Sequence, residues 1–252
     1  MTATVHELRR TLRAAVAGGR AVGTFVKLAD PDAIELVAAA GFDFAVVDLE
    51  HSTLADTDAL ALVRHAQVCG LPALVRVPAV DAPLVNRLLE AGAAGVQLSM
   101  LARLDQVHAL AAATRFAPHG RRSVSMANRV AGFGATTVAE FLAREAADPP
   151  VLVGQIETVD TDPVAELIAG LDVCFVGTTD LGVDLGPDAP ADALPTAVAA
   201  LAGHAEAAAV AFGGWAPAVA DVERLGLGSA RYLVVGSDLQ ILAAGLRAAA
   251  AE

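Results

Sequence analysis

Aromatic residues are scarce in this chain, 4% of 252 positions, and cysteine is scarcer still, with two. Against an apolar share of 55%, so few aromatics leave Ala, Val and Leu to fill the interior. That suits helices packed on parallel strands and excludes a disordered chain. Cys69 and Cys174 are far apart, each in or beside an apolar segment, and offer neither a disulfide framework nor a zinc-ligand spacing. Both read as free, buried thiols in a reducing cytosol. Basic residues are outnumbered, 17 against 29, for a net charge of −12. The balance argues against a nucleic-acid surface or binding to an anionic membrane, and an anionic substrate would need a local cation or a metal. No apolar run is long enough to span a bilayer. Residues 1–19 also lack the continuous apolar core of a signal peptide; Val5, Leu8, Leu12 and Val16 recur instead at helical spacing, which predicts an amphipathic first helix. The expected location is cytoplasmic.

What the chain does have is alternation. Short Val-rich runs predict strands over residues 21–28, 42–48, 72–77, 95–98, 151–156, 172–176, 210–214 and 232–235. Helical patterns follow over residues 32–40, 56–68, 82–91, 101–114, 138–147, 197–208 and 239–250, with a further helix behind the fifth strand, Asp30-Pro31 as a start signal and Gly41 and Gly92 as stops. A Gly/Pro/Asp-rich segment, residues 182–190, delays the helix after the sixth strand. Eight strands alternating with eight helices are the pattern of a single (β/α)8 TIM barrel with an extra N-terminal helix; a doubly wound open sheet is the alternative. No linker divides residues 1–252, so one domain is expected. The one long interruption, residues 115–136, carries Arg115, His119, Arg121, Arg122 and Arg129, and loops of that length serve as lids or binding segments.

In such a barrel the carboxyl ends of all strands face one mouth. The second strand ends in Asp48, Glu50 and His51, the third in Arg76, the fourth in Gln97, the fifth in Glu157 and the sixth in Asp180, while Lys27, Trp215 and Asp238 end others. Two carboxylates from neighbouring strands, Glu157 and Asp180, suit a hard divalent cation that takes its remaining ligands from water and substrate oxygens. The competing reading is that they cap the following helices or pair with Arg129. Arg76 closes an apolar strand and needs an anionic partner, protein or substrate. With a metal opposite, Arg76 and His51 could stabilise an enolate, His51 acting as general acid or base with Asp48 or Glu90 to orient it.

These residues sit in recognisable motifs. Gly41-Phe42-Asp43 with Val47-Asp48-Leu49-Glu50-His51, then Val75-Arg76-Val77-Pro78, Gln155-Ile156-Glu157-Thr158 and Phe175-Val176-Gly177-Thr178-Thr179-Asp180-Leu181 together resemble the HpcH/HpaI aldolase family, the metal-dependent class II pyruvate aldolases. The resemblance implies a (β/α)8 barrel assembled as a hexamer from pairs that exchange the last helix. It implies reversible cleavage of a 4-hydroxy-2-oxo acid to pyruvate and an aldehyde through a metal-stabilised enolate. By position, Glu157 and Asp180 would ligate Mg2+, Mn2+ or Co2+, Arg76 would steady the enolate, and His51 would move the proton of the cleaved alcohol. Gln155 would stand beside the metal, and the backbone amides of Thr179 and Asp180 would cradle the substrate carboxylate.

The chain departs from the family pattern at Thr178 and Thr179, at Glu90 in place of a shorter aspartate, at Gln97-Leu98-Ser99, and at Gly120-Arg121-Arg122-Ser123-Val124-Ser125. These departures touch the acceptor side. Two other readings follow: a citrate-synthase-like condensation of oxaloacetate with an acyl-CoA, as in siderophore biosynthesis, for which Arg122 and Arg129 of the basic loop would hold the polyanion, and a non-catalytic barrel that binds 2-oxo acids.

Overall fold

The computed structural model describes residues 3–251; Met1, Thr2 and Glu252, which the domain expectation included, lie outside the described residues. Eight parallel strands close into a barrel in sequence order: β1 (Ala21–Val26), β2 (Phe44–Asp48), β3 (Ala73–Val77), β4 (Gly95–Leu98), β5 (Val151–Ile156), β6 (Val173–Val176), β7 (Ala211–Ala216) and β8 (Tyr232–Ser237). The closed β1–β8 pairing excludes the open doubly wound sheet. The helices are α1 (Val5–Gly18), α2 (Pro31–Ala39), α3 (Asp56–Val68), α4 (Ala82–Ala91), α5 (Leu104–Thr114), α6 (Val138–Ala147), α7 (Val164–Leu167), α8 (Thr178–Leu185), α9 (Ala193–Ala207) and α10 (Asp238–Ala250).

Side-chain alternation sorts each strand. In β2, Phe44 and Val46 fill the lumen while Ala45 and Val47 pack outward under the helices, so Asp48 falls on the lumen side. Leu74 does the same for Arg76 in β3, and Val151 and Val153 do so for Gln155 and, one step past the strand, Glu157. Register then places Asp48 beside Arg76 and Arg76 beside Gln97 in one row around the barrel. Phe44 stacks on Tyr232 with ring centroids 4.3 Å apart across the lumen below them. It can do so because Gly23 opposite has no side chain: a Cβ there would stand 2.4 Å from the Phe44 ring.

Helix α1 closes the amino end of the barrel. Thr4 and Glu7 form a reciprocal capping box at its start, and its buried stripe carries Val5, Leu8 and Leu12, the last packing into the lumen cluster.

Two expectations about the crossovers are corrected. The segment after β6 is not delayed: α8 begins at Thr178, directly after the strand, because Gly182 inside it meets only an ordinary contact and the turn that ends it falls at Gly186, whose φ is +89°. After β7 the crossover is a 3-10 turn, Val219–Asp221, without an α-helix. The long interruption holds a second 3-10 turn, Gly132–Gly134, before α6. Among the described residues no helix is long and apolar enough to cross a membrane.

Candidate active site

The carboxyl-end mouth opens into a cavity of about 440 Å³ whose lining includes Lys27, His51, Arg76, Gln155, Asp180 and Trp215. A larger groove of about 870 Å³ lies at the amino end beside α1, but it gathers none of these strand-end groups. Convergent polar chemistry, not volume, distinguishes the mouth.

Asp48 is fully buried, and both its oxygens are occupied. Arg76 Nε and Nη2 donate to them at 2.8 and 2.6 Å, and the Lys27 ammonium stands 3.1 Å away. The backbone N–H groups of Glu50 and His51 also donate to Oδ1, at 3.0 and 3.2 Å, which folds the turn after β2 around this carboxylate. Burial alone would raise its pKa; the bond and charge of Arg76, the His51 amide and Lys27 outweigh burial and hold it at about 2. Asp48 is therefore an anchor for Arg76 and for the His51 turn. Arg76 also lies over the Phe25 ring, 4.1 Å from its centroid, and faces Glu50 Oε2 at 3.2 Å through Nη1.

Glu157 is almost fully buried, and its hydrogen-bond donors are neutral. Gln155 Nε2 donates to Oε2 at 2.5 Å and the Met100 amide to Oε1 at 2.7 Å. The Gln155 amide is itself oriented, since its oxygen accepts from Gln97 Nε2 at 2.7 Å. Met100 presents its N–H from a positive φ of 50°, a conformation that costs a non-glycine residue energy and recurs at functional sites. Burial pushes the Glu157 carboxyl up, and the charges of Glu50 and Asp180 push it further. Gly177 lets this carboxylate approach the start of α8, because a Cβ at that position would stand 2.2 Å from Glu157 Oε2. Asp180 sits exposed in the first turn of α8, where Gly177 supplies no side-chain cap and the backbone N–H groups of Thr178, Thr179 and Asp180 face the helix end.

The mouth thus gathers Asp48, Glu50, His51, Arg76, Gln155, Glu157, Thr179 and Asp180. Lys27, the chain's single lysine, is tied to Asp48 and donates to the His51 carbonyl at 3.0 Å. Asp238 serves the backbone, its Oδ2 accepting from the amides of Lys27 and Leu28 at 2.9 Å. Asp180 and Glu157 make no ion pair with Arg129 among the described residues. The His51 ring is more than half exposed, and the carboxylate nearest its Nε2 is Glu50, at 3.7 Å.

Within one chain Glu90 does not join this group. Helix α4 runs back from the mouth, so its last turn lies at the amino end, where Glu90 accepts from Asn86 at 3.3 Å. Arg122 is there too, buried, donating to Asn86 Oδ1 at 2.9 Å and to Glu145 at 2.7 Å. Of the two arginines behind the acyl-CoA condensation, Arg122 is thus consumed in the barrel's floor, while Arg129 is half-buried with no ion pair among the described residues. Two contributors are not site candidates from sequence: the Met100 amide depends on an unusual φ that its identity does not announce, and Ser99, whose hydroxyl donates to Glu50 Oε1 at 2.7 Å, stands out only as a departure from pattern.

The HpcH/HpaI aldolase/citrate lyase family model matches residues 21–244, from β1 into α10. The chain belongs to this family. It is 33% identical over 248 residues to a hydroxypyruvate/pyruvate aldolase of Chromohalobacter salexigens, covering 93% of each chain, and 30% identical over 225 residues to a 5-keto-4-deoxy-D-glucarate aldolase of Shigella dysenteriae, covering 87% of each. A crystal structure of a family protein from Burkholderia cenocepacia superposes with a TM-score of 0.85 at 29% identity, over 97% of both chains. Family membership makes the chain a carbon–carbon lyase of the aldolase type, and divalent-metal dependence is general in the family.

Proposed function

We propose that this aldolase splits a 4-hydroxy-2-oxo acid into pyruvate and an aldehyde at the barrel mouth, with Glu157 and Asp180 holding a divalent cation, Mg2+, Mn2+ or Co2+. The observation that carries the reading is Glu157: a buried carboxylate with neutral donors, crowded by Glu50 and Asp180, with no salt bridge among the described residues. An all-oxygen donor set of this kind fits a hard cation. When bound, the ion supplies a Lewis acid that polarises the 2-oxo group.

The remaining roles belong to the chain. The free N–H groups at the start of α8, those of Thr179 and Asp180, receive the substrate carboxylate. Arg76, locked by Asp48 through Nε and Nη2, holds its positive charge toward the cavity, where negative charge develops as the C3–C4 bond breaks and its electron pair passes into the pyruvate enolate. His51 takes the proton of the C4 hydroxyl as the aldehyde forms, and Glu50, whose Oε2 lies 3.7 Å from His51 Nε2, steadies the resulting imidazolium. Asp48, held at about 2, carries no proton to exchange at neutral pH.

The amphipathic α10 has no buried residue and exposes Leu239, Ile241, Leu242 and Leu246, which supports a homo-oligomer, a hexamer built as a trimer of dimers, in which this helix packs on a second copy. Two free cysteines support a reducing, cytoplasmic location. The test is a panel of aldehydes with pyruvate under added Mg2+, Mn2+ or Co2+, alongside deuterium exchange at pyruvate C3. Divalent-dependent exchange and aldol product are expected. Full activity after exhaustive chelation would remove the metal assignment, and turnover only of oxaloacetate with acetyl-CoA would replace the reaction class.

A further inference from the structure

Away from the mouth, one other group of metal-ligating side chains comes together among the described residues, on the outer wall of the barrel. His65, in the last turn of α3, and Cys69, its C-cap, are four positions apart and share one face. Glu35 reaches across from the neighbouring α2, its Oε1 2.8 Å from His65 Nε2. One ligand atom from each of the three lies within 4.8 Å of the other two.

We propose that Glu35, His65 and Cys69 form a second cation site, for a borderline-soft divalent ion of the zinc class, separate from the hard-cation site at the mouth. The donor set decides the class. A thiolate, an imidazole and a carboxylate match zinc, whereas magnesium takes oxygen donors and keeps its waters. Around a tetrahedral ion with bonds of about 2.0–2.3 Å, ligand atoms stand roughly 3.3–3.8 Å apart, so the trio needs only small side-chain adjustments. Glu35 and His65 have room to make them, being 60% and 27% exposed at the side chain. The fourth position faces solvent and takes water. Burial and the Glu35 charge push the Cys69 thiol up, so loading the site releases a proton. The ion would clip α2 to α3 and stabilise the wall without touching turnover. A plain surface ion pair between Glu35 and His65 is the competing account, and it gives Cys69 no part.

The thiol provides the readout. With Mg2+ saturating the mouth, Co2+ added to the full-length protein should give a near-ultraviolet thiolate-to-cobalt charge-transfer band at one equivalent. Only Cys69 can supply it, since Cys174 is sealed in the core. The band should vanish in Cys69→Ser and persist in Glu157→Gln. Zinc affinity, by competition with a chromogenic chelator, should fall at least about ten-fold in His65→Ala. Zinc should raise the Tm of the parent but not of Cys69→Ser, whose Mg2+-supported aldolase rate should match the parent's. No thiolate band, a band retained in Cys69→Ser, or equal zinc affinity in parent and Cys69→Ser would each overturn the site.

Discussion

The two ends of the barrel bury the same residue types to opposite effect. At the floor, Glu145 accepts from Arg9 at 2.8 Å and Arg122 at 2.7 Å and contacts His6 at 2.9 Å; burial would raise its pKa, but these partners hold it at about 2. Donors are in excess there, since Arg9 Nε and Nη2 find no hydrogen-bond partner among the described residues. At the mouth the imbalance is reversed. Glu157 is pushed up, Asp180 adds negative charge, and Glu50 Oε2 has no hydrogen bond although Arg76 stands near it. A buried carboxylate with cations on every side joins segments; one facing other carboxylates awaits a positive ligand. The floor network ties α1, the long interruption and α6 together.

The contrast breaks most visibly at the floor. Glu145→Gln leaves Arg9 and Arg122 buried without a counter-charge and should cost about 3–5 kcal/mol. For a chain of this length that is a Tm drop of roughly 6–20 °C, measurable by calorimetry, with activity lost only as the protein unfolds. A drop under a degree would mean that Glu145 does not supply the counter-charge of Arg9 and Arg122 as described. Glu157→Gln should do the reverse. Without metal it relieves repulsion, so Tm should hold or rise, while metal-supported kcat/KM should fall on the order of 10³-fold, the several kcal/mol a Lewis acid contributes. A marked loss of metal-free stability would place Glu157 with the structural carboxylates.

Acid sharpens the same comparison. Glu145 and Asp48 have folded pKa values of about 2 against ordinary values of 4.5 and 3.8, so their contribution is complete above the ordinary values and is lost as pH falls from about 4.5 toward 2. Glu157, shifted up, behaves oppositely: in metal-free protein its contribution is best below its ordinary value and is lost as pH rises through the folded one. Added Mg2+ should therefore raise Tm more at pH 7 than at pH 4, and the increment should disappear in Glu157→Gln. An increment that is the same at both values, or survives the substitution, would detach the metal from Glu157.

How much of this was legible in the sequence depends on whether a feature is periodic. Strand β5 and helices α3, α4 and α6 fall at the boundaries their residue patterns predict, because alternation and helical spacing are local and repeat. The same alternation, read from Phe44 and Val46 to Asp48, already aims that carboxylate into the lumen. The place of Glu90 is legible on the same grounds: a helix following a strand of a parallel barrel carries the chain back to the floor, so the last turn of α4 does not face His51 within one chain. Other features leave no trace in residue identity. Gly182 reads as a breaker but lies in α8, and the positive φ of Met100 that aims an amide at Glu157 is set by the tertiary path between β4 and α5.

The finest test of the mouth concerns Ser99, which the floor has no counterpart for. Its hydroxyl donates to Glu50 Oε1 at 2.7 Å, while Oε2 lies between Arg76 Nη1 at 3.2 Å and His51 Nε2 at 3.7 Å. Fixing one oxygen decides how the other divides its charge between the guanidinium and the imidazole. Ser99→Ala removes one hydrogen bond, about 1 kcal/mol, and should lower kcat/KM about five-fold with a Tm drop of no more than about 2–4 °C. On the proposal that Glu50 steadies the His51 imidazolium, the loss should appear in kcat and leave the KM for the 2-oxo acid unaltered. A change confined to KM would show that Ser99 contacts substrate directly, and an unchanged kcat would show that Glu50 serves Arg76 alone.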